Sequence, residues 1–146
     1  MNDSFKRSIL LIGCLLAGSM DAVSGLLLML SPGFTLNLMR VPAVASEAGV
    51  FIRFIGAFVF SVGCLYLFAF KSVLVDRSLS YVRFVFGVTA WVRAVICLFT
   101  TLAIVQGALP VEWISVPLTD GVMACVQVWV IWSGWIPDKD ATYGSI

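Results

Sequence analysis

The sequence predicts an all-α integral membrane protein, one four-helix bundle occupying residues 1–146 as a single domain. Of 146 residues, 61% are hydrophobic and only 12% charged, whereas a soluble domain carries about a quarter charged. Four apolar stretches, separated by proline, glycine and charged punctuation, each reach the roughly twenty residues a helix needs to cross a bilayer. Nine basic and eight acidic residues nearly cancel, so no basic field invites nucleic acid, and the lipid bilayer is the expected surrounding. Histidine is absent, which removes the usual b-type haem ligand, the commonest metal ligand and the commonest acid–base group. With no phosphate-binding loop, catalytic triad or metal constellation either, the expectation is a protein without catalytic residues, metal or cofactor.

The first span is expected over residues 8–30. Lys6 and Arg7 ahead of an apolar run suggest a signal peptide, and Leu11-Ile12-Gly13-Cys14 resembles a lipoprotein cleavage box, but the run continues to Leu30, as a membrane helix does. Gly13, Ala17, Asp21 and the pair Ser24/Gly25 recur at three- and four-residue steps, so the one carboxylate falls on a narrow face of small residues. Such a face lets neighbouring helices come close, and an intramembrane acid needs partners to reach it. Ser31-Pro32-Gly33 ends the span. Residues 34–40, which mix apolar and polar side chains, suggest a segment lying along the membrane surface, with an irregular apolar loop as the other reading.

Ser46 and Glu47 suit a helix start, by capping and by complementing the helix dipole. The second span is placed at 49–70, with Gly49, Arg53, Gly56 and Gly63 on one face; Arg53 either joins a small-residue interface or snorkels to the outer headgroups. Lys71, Asp76, Arg77, Ser78 and Ser80 make a polar connection to the third span, 81–106. There Thr89/Ala90, Arg93, Cys97 and Thr100/Thr101 line one side, opposite Phe84, Val88, Val95 and Leu102. Arg93 stands near mid-membrane, where an unpaired arginine costs at least about 2.5–3.5 kcal/mol. The fourth span, 112–135, puts Asp120, Ala124 and Gln127 on one face and Trp113, Trp132 and Trp135 at its ends as interfacial anchors. Pro117 either marks its true start, capped by Ser115, or bends it.

Short connections after spans two and three make those neighbours antiparallel and adjacent. With the N-terminus inside, Lys6, Arg7, Lys71, Arg77, Arg83 and Lys139 fall on the inner side against Arg40 outside, so both termini are expected in the cytoplasm. Depth suggests Asp21 with Arg93 and Asp120 with Arg53, although exchanged partners or one shared cluster fit too. The candidate polar network is Asp21, Arg53, Arg93, Asp120, Gln127 and Thr89; the candidate packing positions are Gly13, Ala17, Gly25, Gly49, Gly56 and Gly63. Cys14, Cys64, Cys97 and Cys125 each lie in a different span, with no spacing for zinc or a disulfide framework, and read as small core residues.

Gly25-x6-Pro32-Gly33-Phe34, Arg53-x2-Gly56-x6-Gly63, Arg93 and Asp120-Gly121 together resemble the DoxX-like small four-helix membrane proteins of bacteria. The resemblance covers the first three spans loosely and the fourth hardly at all. It implies a bacterial inner-membrane setting and a partner enzyme in quinone or thiol-redox assemblies, and transfers no catalytic residue. Three functions stay open: an accessory or structural subunit of a larger membrane complex or homo-oligomer; a small transporter or proton-conducting protein using Asp21 and Arg93; and a redox-linked component binding quinone near Trp91 and Arg93.

Overall fold

A computed structural model of the chain describes residues 3–42, 48–76 and 79–136. They fold into helices α1 (Asp3–Leu30), α2 (Pro32–Leu38), α3 (Gly49–Asp76), α4 (Ser80–Val105) and α5 (Ser115–Trp132), with a 3-10 turn at Val111–Ile114 and no strand among the described residues. Four helical stretches are long and apolar enough to cross a membrane: Ser4–Leu30, Gly49–Val75, Tyr81–Val105 and Val111–Trp132. The protein is therefore read as an integral membrane protein with an all-helical fold.

α1 and α3 overrun the spans expected from sequence, for a geometric reason, whereas α4 matches its span to within a residue at each end and α5 is shorter than the expected 112–135. The 27 residues of the first span cover roughly 40 Å at ~1.5 Å per residue, against a hydrocarbon core of ~30 Å. Its ends consequently stand among headgroups, where Lys6 and Arg7 are tolerated inside the helix. α3 likewise passes Phe70 and continues to Asp76. Lys71 is exposed while Ala69 and Val73 are buried on the other side, so the ladder stays intact with the ammonium outside.

The segment expected at 34–40 is helix α2, opened by Pro32 at a position where its missing N–H loses no bond. Thr35 and Leu36 turn inward, and Phe34 and Leu38 outward. At the start of α5, Pro117 is buried in the first turn, which settles its role: an N–H there has no intrahelical partner to lose. Ser115 does not cap this helix; Ile114 precedes it in helical conformation, continuing the 3-10 turn, and makes no side-chain cap. Trp132 is exposed, but Trp135 folds back onto Trp129, their ring centroids 5.4 Å apart, and so packs rather than anchors. The expected cap at Ser46 and Glu47, together with Arg77, Ser78, Lys139 and the polar tail, lies outside the described residues.

α1 and α3 form one closely packed antiparallel hairpin and α4 and α5 another, while α3 meets α4 more loosely. Sequence spacing favours spans two and three as close neighbours; glycine placement decides otherwise. Gly18 and Gly25, seven residues apart on α1, face Gly63 and Gly56, seven apart on α3. A methyl group on Gly25 would lie 2.7 Å from the Gly56 carbonyl oxygen, and one on Gly63 2.9 Å from the Gly18 carbonyl oxygen. Between lipid-bathed helices, where burial from water adds nothing, this backbone approach is the source of packing energy. Gly13 and Gly49, expected at the interface, stand outside it: a methyl on either would have nothing within 4 Å. The buried stripe of α1 is instead Leu10, Cys14, Ala17/Gly18, Asp21 and Gly25, rotated by a fraction of a turn.

Candidate functional site: an intramembrane polar network

Each spanning helix sends at least one polar side chain to the middle of the bundle. α4 supplies the centre, because Thr89 and Arg93 are four residues apart and share a face with Ala90 and Thr100, all buried. Phe84, Val88, Val95 and Leu102 of the opposite face are exposed, as they must be toward lipid. Arg93 donates from Nη2 to Asp21 Oδ2 of α1 and from Nη1 to Asp120 Oδ1 of α5, the latter at 2.5 Å. Side-chain exposure is 6% for Arg93, 8% for Asp21 and 14% for Asp120. One guanidinium thus bridges two carboxyl groups from the two different hairpins.

The third edge of Arg93 faces α3. Its Nε donates to the Tyr66 hydroxyl at 3.4 Å, and its guanidinium carbon stands 5.9 Å from the Tyr66 ring centroid, a cation–π distance. Tyr66 donates in turn to Thr89 Oγ1 at 3.0 Å, and Thr89 donates back to the Val85 carbonyl at 2.7 Å. Gln127 of α5 donates from Nε2 to both the Tyr66 hydroxyl and Thr89 Oγ1. The ring of Tyr66 is fixed by an edge-on contact with Phe86, centroids 6.1 Å apart.

Asp21, Thr89, Arg93, Asp120 and Gln127 therefore meet in one connected cluster, the shared arrangement among the sequence alternatives. Arg53 does not join it. It is exposed on α3 and donates to the Met29 and Leu30 carbonyls at the end of α1, so the expected Asp120–Arg53 pair is replaced by Asp120–Arg93. Common depth in the membrane is the only ground for that pairing, and depth carries no information about azimuth. Thr100 bonds only the Ile96 and Cys97 carbonyls of its own helix. Trp91 is 73% exposed and Arg93 5% exposed, so the two point to different sides of α4 and do not form one pocket.

Tyr66 is the member that sequence reasoning missed, and a signal was available. Tyrosine belongs at the membrane interface, so one standing deep in an apolar span calls for a polar partner. Gly18 was missed too, being one residue off the stripe assigned to Ala17.

Toward the end of the bundle that holds the start of α1, the polar cluster stops. Val73, Val82, Val85, Val130 and Ile136, none more than 7% exposed, close it off below Gln127. The four cysteines are all unpaired thiols, and no group of three or more metal-ligating residues occurs among the described residues. Comparison of the chain with protein-family models, curated proteins and solved structures finds no match.

Proposed function

We propose that this chain is a non-catalytic polytopic subunit of a larger membrane assembly, its polar cluster acting as an internal staple and its apolar exterior packing against lipid and partner helices. The supporting observation is the closure of the cluster: Arg93 finds two carboxyl partners and a hydroxyl within its own chain, from α1, α5 and α3. Groups arranged in this way reduce the cost each would carry alone in lipid and fix which hairpin sits on which. The bacterial inner membrane, with both termini in the cytoplasm, is part of the same proposal, supported by the basic residues Lys6, Arg7, Lys71 and Arg83 at one end of the bundle. So is a DoxX-like relationship, which rests on the motif spacing alone. Gentle solubilisation of the untagged protein from native membranes, followed by native mass measurement, tests the reading. A reproducible companion protein or homo-oligomer is expected; a lone monomer overturns it.

A small transporter or proton conductor is the second reading, favoured by the spare oxygens of Asp21 and Asp120, which no described residue occupies. The aliphatic closure below Gln127 opposes a through-path in this conformation. Ion or proton flux into liposomes that is abolished by Asp21→Asn supports this reading; absent or unchanged flux removes it.

A further inference from the structure

Two carboxyl groups share one guanidinium at the centre of this bundle, so full ionisation leaves one uncompensated negative charge among groups that are nearly all buried. An excess charge in a medium of low polarity is strongly opposed by lost solvation. Among the described residues no second cation pairs with either acid. The titratable or charged groups around Asp120 are Asp21 from α1, Tyr66 from α3, and Arg93 with Cys97 from α4, whose sulfur lies beside Gly121.

Nor can the network lend a hydrogen. The Tyr66 hydroxyl proton is placed on Thr89, that of Thr89 on the Val85 carbonyl, and both amide hydrogens of Gln127 on Tyr66 and Thr89. Independently of the carboxyls, Gln127 Oε1 is a buried acceptor with no donor, in a residue only 2% exposed. Buried acceptors are normally partnered. The cluster is therefore short of both positive charge and hydrogen-bond donors, and a bound proton supplies the charge.

We propose that the cluster is a binding site for one exchangeable proton, held by the Asp21–Asp120 pair. The pair keeps one negative charge, which offsets that of Arg93. Each acid gives one oxygen to Arg93, Oδ2 of Asp21 and Oδ1 of Asp120, and the other oxygen of either, which bonds no described residue, can take the proton as an O–H. Asp120 is the sixth residue of α5, roughly 9 Å from that helix's start at ~1.5 Å per residue, so the proton enters from the α5 N-terminal side. The opposite end is closed by the valine and isoleucine side chains. The site is thus occluded on one side and loads from the other, joining the two hairpins through a group whose charge can change. This holds whether or not the chain belongs to a larger assembly.

Infrared difference spectroscopy on full-length protein carrying carboxyl-labelled aspartate, in lipid nanodiscs, tests the assignment. A protonated-carboxyl band present at neutral pH and lost in both Asp120→Asn and Asp21→Asn, each of which leaves a single carboxylate against Arg93, is expected. A wild-type spectrum with no such band, or a band that persists in either single variant, overturns the proposal. Melting supplies a second readout that does not need the band. Either single amide leaves one carboxylate against Arg93, so D120N and D21N both keep a melting temperature near wild type, whereas the D21N/D120N double variant strands Arg93 and lowers it. A single variant that destabilises as much as the double variant overturns the proposal, as does a wild-type melting temperature that rises with sodium at fixed ionic strength, which would mark a metal cation in the proton's place.

Discussion

Gly25 and Gly56 face each other across the α1/α3 interface so closely that a methyl on either meets the other's carbonyl oxygen, at 2.7 Å from position 25 and 2.8 Å from position 56. The obstruction is backbone, which cannot rotate away as a side chain can. Gly25→Ala gains about 1 kcal/mol of helix propensity but overpacks the interface by about 1–3 kcal/mol or more, so the net sign is destabilising. Gly13→Ala meets nothing within 4 Å and keeps whatever propensity gain applies. Reversible unfolding in detergent distinguishes them: Gly25→Ala falls below wild type and Gly13→Ala does not. Equal stability of the two variants would show that close backbone approach does not hold this hairpin.

The bridge from Asp21 through Arg93 to Asp120 makes single replacements costlier than combined ones. Arg93→Leu leaves two carboxyls without their cation and is expected to cost about 3–5 kcal/mol. Adding Asp21→Leu to Arg93→Leu restores part of that loss, because an unpaired buried group is removed along with its partner. A double-mutant cycle measures the coupling. Strict additivity of the two changes would mean that the residues do not act as a pair.

Residues differ in how far their places can be read from sequence, and the reason is the solvent. In water, polar and apolar faces separate, and a helix's rotation follows; in lipid the outside is as apolar as the core. α4 is legible because Thr89, Arg93 and Thr100 mark one side against Phe84, Val88, Val95 and Leu102. α1 offers one charged residue within the membrane, so sequence fixes its stripe only to within a fraction of a turn and points to Gly13 where Cys14 and Gly18 belong. The same lack of azimuthal information sends Asp120 to Arg53. Tyr66 escapes notice because its ring suits an apolar span, while its hydroxyl is what connects α3 to the network.

Tyr66→Phe isolates that hydroxyl. The ring remains for Phe86 and for the face of the Arg93 guanidinium, while Arg93 Nε and Gln127 Nε2 lose an acceptor and Thr89 loses a donor. Individual hydrogen bonds between membrane helices average only about 0.6 kcal/mol, but a buried group left unsatisfied costs about 1–3 kcal/mol. With three partners affected, a loss of about 1–2 kcal/mol is expected in detergent unfolding. Unchanged stability would mean that the hydroxyl is dispensable and that the network ends at Arg93.

Arg7 and Arg53 occupy equivalent places near the starts of α1 and α3, and each reaches the far end of the other helix. Arg7 Nη2 donates to the Val73 carbonyl at 2.6 Å, and Arg53 Nη1 to the carbonyls of Met29 and Leu30. These are among the last four carbonyls of their helices, which have no intrahelical donor and lie at the negative end of the helix dipole. Arg53 is exposed, so water competes for its hydrogen bonds and the effect of removing it is local. Arg53→Met keeps the aliphatic stem and frees the end of α1, where the Ser31 amide bonds the Leu27 carbonyl at 2.8 Å. Hydrogen exchange at Ser31 is expected to speed up several-fold, while exchange in the middle of α1 and the global unfolding midpoint stay at wild-type values. Exchange at Ser31 that does not change would assign the end of α1 to packing alone; a large fall in the midpoint would place Arg53 in the bundle's core energetics, contrary to its position at the rim.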